Sequence, residues 1–144
     1  MSTKFVFEVD CPVDRQKLKQ AAEHVLAREG VRSKVVVILS SDETILRLNT
    51  QFLEKHSLTD VLSFPWHDKK LLGEVYVCVS VAERSARELS RTLESELILY
   101  IIHGILHLTG YDDTSDREFK RMHRREDELL GELGYPPAGI GSIE

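Results

Sequence analysis

Residues 94–115 read ESELILYIIHGILHLTGYDDTS, and the rest of the chain is organised around them. From Leu97 to Leu108 the run is so apolar that a buried helix is its natural state. His103 and His107 interrupt it four residues apart, so on a helix their imidazoles share one face and can converge on one point. Gly110 is placed to stop that helix and return Asp112 or Asp113 toward the same point. The full pattern, H-x-x-x-H-x-x-G-x-x-D, ends on Asp113. Imidazole nitrogen and carboxylate oxygen are both zinc ligands, and three of them leave a coordination position open for catalysis. The expected metal set is therefore His103, His107 and Asp113.

Upstream of this helix, residues 81–89 predict a polar surface helix. Gly73 to Ser80, GEVYVCVS, is the strongest strand pattern in the chain, with Val75, Val77 and Val79 on one face. Asp60 to Pro65, DVLSFP, is extended, because Pro65 holds Phe64 out of the helical region. The short gap between the two predicts an antiparallel pair. Residues 53–59 form a polar loop. Ser40 with Glu43 has capping-box spacing and opens a helix through Ile45, Leu46, Leu48 and Phe52. Val35 to Leu39 is a β-branched central strand. Pro12 and Asp14 start a helix that Gly30 ends, and Lys4 to Val9 alternates as a half-buried strand. Downstream, a charged amphipathic helix is expected from Asp116 to Leu133, followed by a loose tail after Tyr135. These elements predict one domain over residues 1–144, a sheet of about four strands with about five helices packed on it, and a metal site on the buried helix.

The 144 residues carry 19 Lys and Arg against 24 Asp and Glu, a formal charge of -5. That balance argues against broad non-specific binding to phosphate backbones, although a local basic groove is compatible with it. The first ten residues lack the pattern of a signal peptide, and the longest apolar run is too short to span a bilayer. A cytoplasmic protein that does not engage the membrane is the expectation. Cys11 and Cys78 form no C-x-x-C pair and read as free thiols. His24, His56, His67 and His123 read as solvated, with His56 and His67 flanking the segment that walls the cleft. Arg117, Lys120, Arg121, Arg124 and Arg125, interleaved with Glu118, Glu126, Asp127 and Glu128, read as an ion-paired solvated helix face.

Position 104 discriminates between metal chemistries. A zinc protease with this spacing carries Glu directly after the first histidine as its general base. Here the residue is Gly104, so a metzincin-like peptidase loses most of its weight. An iron oxygenase would suit a two-histidine, one-carboxylate set, but nothing in the sequence suggests a cosubstrate site.

The stretch HGILHLTGYDD at 103–113 resembles the motif H-G-x-L-H-L-x-G-Y-D-H of the YbeY family of bacterial metallo-endoribonucleases. Leu48-Asn49, TDVLSFP at 59–65 and Leu72-Gly73-Glu74 resemble further blocks of that family, in the same order. The resemblance implies a compact α+β domain with a mixed sheet, a zinc in an open cleft and cleavage of single-stranded RNA. It also implies roles in 16S rRNA 3′-end maturation and ribosome quality control, with the ribosome or small-subunit assembly factors as partners. Two positions depart from the pattern. Asp113 stands where the family has its third ligand histidine, which lowers the formal charge of the centre and suits Mn²⁺ or Fe²⁺ better. Phe52-Leu53 stands where the family has an aromatic-Arg pair, leaving Lys55 as a point-charge substitute. Lys55, Thr59 and Ser63 are the candidate substrate contacts, and Ser63 and Glu74 the candidate catalytic groups. The alternative is a ribosome-assembly binding protein with little or no catalysis and a structural metal.

Overall fold

The computed structural model describes residues 3–66 and 68–138. At its centre runs β2 (Lys34–Ser40), whose Val35, Val37 and Leu39 are fully buried. It pairs in parallel with β1 (Thr3–Phe7) on one side and β4 (Leu71–Cys78) on the other. β3 (Val61–Pro65) closes the sheet antiparallel to β4, with Val61 opposite Val77 and Pro65 opposite Gly73. The strand order is β1-β2-β4-β3, so β3 is an edge. The expected mixed four-stranded sheet and the antiparallel pair are both present.

Five helices complete the described residues: α1 (Arg15–Arg28), α2 (Asp42–Leu53), α3 (Val79–Glu88), α4 (Leu93–Leu108) and α5 (Asp116–Glu132). The alternation of strand side chains divides the molecule. Val75 and Val77 of β4 join the large core formed with α1, α4 and α5. Leu62, with Phe64 and Tyr76 beside it, joins a smaller cluster around Ile45 and Leu48 of α2. α4 is the pillar of the larger layer, with Ile98, Ile101, Ile102, Ile105 and Leu106 all at zero exposure. None of the described helices is long and apolar enough to cross a membrane.

Three local expectations are corrected. Ser41, not Ser40, caps α2, accepting from the Thr44 amide at 3.3 Å; Ser40 is still paired as the last residue of β2. α3 begins at Val79, because the strand ends at Cys78 and the Val-x-Val pattern runs on into the helix. Nor is α3 a purely surface helix, since Val79, Val81, Ala82 and Ala86 are buried. Cys11 and Cys78 are free, with Cys78 buried and Cys11 half-buried.

Candidate metal centre

The end of α4 is built as its sequence demands. Gly110 adopts φ 110°, a left-handed conformation open to glycine. The amides of Tyr111 and Gly110 then donate back to the carbonyls of Leu106 at 3.0 Å and His107 at 3.3 Å. This is the double bond of a Schellman stop, and it turns the chain immediately after His107. The Asp112 carboxylate holds the next bend, accepting from the Thr114 amide at 3.0 Å and the Thr114 hydroxyl at 2.9 Å. Those bonds, the amide first, also hold its pKa below the usual carboxylate range. Asp112 is thereby occupied with the turn, while Asp113 is brought back toward the helix.

His103 Nε2 and His107 Nε2 lie 3.1 Å apart. One ligand atom from each of His103, His107 and Asp113 falls within 4.8 Å of the other two. In a tetrahedral centre with bonds of about 2.0–2.1 Å, two nitrogen ligands sit about 3.3 Å apart, so the imidazoles are spaced for one shared ion. The donor set of two imidazoles and an exposed carboxylate fits a divalent cation that keeps one side open to solvent.

Glu126 of α5 fixes the back of this cluster. One of its oxygens is hydrogen-bonded to His103 Nδ1, and the other lies 2.6 Å from His123 Nδ1. A ligating histidine held through its second nitrogen by a carboxylate has its ring orientation and tautomer set, leaving Nε2 for the metal. Burial pushes the His103 imidazole toward the neutral form, but the bond and charge of Glu126 outweigh it and raise its pKa. Burial and then the neighbouring His103 lower that of His107, favouring the neutral imidazole. Burial works to raise the pKa of Glu126, and its two histidine bonds more than offset that and keep it ionised.

His123 and Glu126, read from the sequence as part of a solvated face, are therefore corrections: they are 6% and 1% exposed. Their signal was available in the helical spacing, because Met122, Glu126, Leu129 and Leu130 share the buried stripe of α5. His24 is half-buried and bonded to Glu132 at 2.7 Å rather than simply solvated. Arg125 is likewise tied to Glu29, at 2.7 Å. His56 is exposed, and His67 lies outside the described residues.

The upstream candidates separate by strand face. Ser63 lies on the α4 side, and its hydroxyl donates to the Gly104 carbonyl at 2.9 Å. Thr59 is held by the Asn49 amide at 3.3 Å, which also bonds the Ser57 carbonyl at 2.7 Å and fastens the 53–59 loop to α2. Lys55 is exposed on that loop. Glu74 is not brought to the cluster. It lies on the opposite face of the sheet, where it lines a groove with Phe64 and accepts from the Tyr76 hydroxyl at 3.2 Å. Gly104 has a packing role as well. A Cβ there would collide with Val75 Cγ1 and meet Ser63 Oγ at 3.1 Å, so this face of α4 touches the sheet too closely for a protease glutamate.

Fold and cluster together define an α+β domain with a candidate metal centre open to solvent beside an edge strand. Residues 7–134 match the family described as Endoribonuclease YbeY, and the chain belongs to that family. Endoribonuclease YbeY of Thermotoga sp. (strain RQ2) is 40% identical over 119 residues, covering 82% of this chain and 79% of the relative. That of Pseudomonas putida (strain F1) is 38% identical over 125 residues, covering 83% and 80%. A solution structure of a Thermotoga maritima protein superposes with a TM-score of 0.62 at 35% identity, covering 90% of this chain and 91% of the other. Membership supports the role of an endoribonuclease, a hydrolase with RNA as its substrate class.

Proposed function

We propose that this chain, over residues 1–144, is a single-domain, metal-dependent endoribonuclease that cuts single-stranded RNA. It serves 16S rRNA 3′-end maturation and ribosome quality control in the cytoplasm, alongside the ribosome or small-subunit assembly factors. His103, His107 and Asp113 are its metal ligands, with Zn²⁺ the first choice and Mn²⁺ or Fe²⁺ accepted because one ligand is a carboxylate. The carrying observation is the 3.1 Å approach of the two Nε2 atoms with Asp113 on the same point.

A divalent cation bound there supplies Lewis acidity toward a phosphoryl oxygen and acidifies water. The protein's own groups do the rest. Glu126 holds the His103 ring so that its free nitrogen faces the cluster. Asp113 stands on the exposed side, where an RNA strand has access. Ser63 and Thr59 build the wall between β3 and the 53–59 loop, and Lys55 offers a point charge to the phosphodiester backbone.

The test pairs metal content with cleavage. Wild type is expected to hold about one ion per chain and to cut single-stranded RNA until chelated, whereas His103→Ala and Asp113→Ala lose the ion and His107→Ala loses cutting. Stoichiometric metal in all of these variants, or cleavage that survives chelation, would overturn the assignment.

A further inference from the structure

The sheet face opposite the metal cluster carries a feature that folding does not explain. Arg47, Leu48, Gln51 and Phe52 of α2 and Phe64, Pro65, Trp66, Glu74 and Tyr76 of the β3–β4 hairpin enclose a groove of about 470 Å³. Phe52, at 56% exposure, and Trp66, at 51%, are left open to solvent. Phe52 packs edge-on to Phe64 at 5.5 Å, and Phe64 does the same to Tyr76 at 5.7 Å, giving a continuous aromatic row. Large exposed aromatics gathered in one place mark a binding surface more often than chance.

The geometry points to this groove as a platform for unpaired bases of single-stranded RNA, stacked on Phe52 and Trp66 with Arg47 holding a phosphate. Three observations choose RNA over a protein strand or helix. The lining is aromatic rather than aliphatic, and aromatic rings accept any base by its π-face. Arg47 is exposed and makes no ion pair among the described residues, so its guanidinium is available to an anion, while the groove's one acid, Glu74, accepts from the Tyr76 hydroxyl. The groove is also only one strand away from the cluster. Ser63 faces α4 and its successor Phe64 faces the groove, on a strand with no neighbour beyond it among the described residues. A strand passing around β3 can therefore touch both. This inference rests on the endoribonuclease reading only for the identity of the substrate.

Trp66 is the only tryptophan in the chain, so it reports on its own groove. The experiment titrates full-length protein, kept metal-free with chelator, with a mixed-sequence single-stranded RNA made uncleavable by 2′-O-methylation. Saturable quenching of Trp66 is expected. Phe52→Ala should weaken the fitted affinity about tenfold, the typical loss of one stacked base. Arg47→Ala should weaken it and reduce the salt slope by about one phosphate. Anisotropy of labelled RNA follows Trp66→Ala, with thermal unfolding confirming that each variant is folded. Duplex RNA should compete poorly. RNA binding that ignores all three substitutions, or equal affinity for duplex, would overturn the proposal and leave the groove to a protein partner. Because the readout is taken without metal, it can fail while cleavage succeeds, and the reverse.

Discussion

Two carboxylates on α5, six residues apart, each grip an imidazole and a second partner, and burial gives them different work. Glu126 sits between His103 and His123 with 1% of its side chain exposed. Glu132 sits between His24 and Arg28 with 33% exposed, tying α5 to α1 at the surface. The contacts are of the same kind. In the interior, however, an ionised carboxylate persists only where every partner is in place, so Glu126 fixes the orientation of the His103 ring, a candidate metal ligand. At the surface water can replace either partner, and Glu132 contributes an adjustable clasp.

Removing Glu126 should give the largest effect. Glu126→Ala leaves two buried imidazoles without their acceptor and opens a void, a loss of roughly 3–5 kcal/mol for breaking a buried pair. A urea titration would read it as a large drop in midpoint at unchanged slope. A shift no larger than that of a surface substitution would erase the contrast with Glu132. Glu126→Gln is the finer instrument, since it keeps volume and one acceptor but removes the charge. Metal affinity should fall about 10- to 100-fold while the fold remains, measured by competition with a chromophoric chelator. Unchanged affinity would mean that Glu126 serves packing alone.

The contrast also explains what the sequence could reveal. Element types follow from periodicity, because α4 is apolar all round and β4 alternates. The stop at Gly110 and the convergence of His103 with His107 follow from helix geometry and a glycine's freedom, both local properties. Glu126 was hidden because Arg124-Arg125-Glu126-Asp127-Glu128 looks like a solvated face unless each position is projected onto the stripe of Met122, Leu129 and Leu130. Its partners are non-local, and His103 lies 23 residues upstream. That Glu74 lies away from the cluster has a different source. One-residue alternation decides which sheet face a side chain occupies, and only the pairing with β2 and β3 reveals which face α4 covers.

Glu132 provides the smallest effect and a direction in pH. The Arg28 hydrogen bond, followed by that of His24, holds its pKa at about 2, below the ordinary carboxylate value of 4.5. A depressed folded-state pKa means that the unfolded chain takes up the proton first. The stabilisation is therefore fully present above about pH 5 and lost as pH falls toward 2. In Glu132→Gln that part of the acid slope should vanish. Near neutrality the variant should be the less stable by a small margin, because the pair is solvated and screened, and that margin should close toward acid. Parallel urea titrations of wild type and variant at steps from pH 6 to pH 2.5 would read this as two curves that converge toward acid. Curves that stay parallel would assign the acid sensitivity to other groups, and Glu132 would then be a contact without a thermodynamic role.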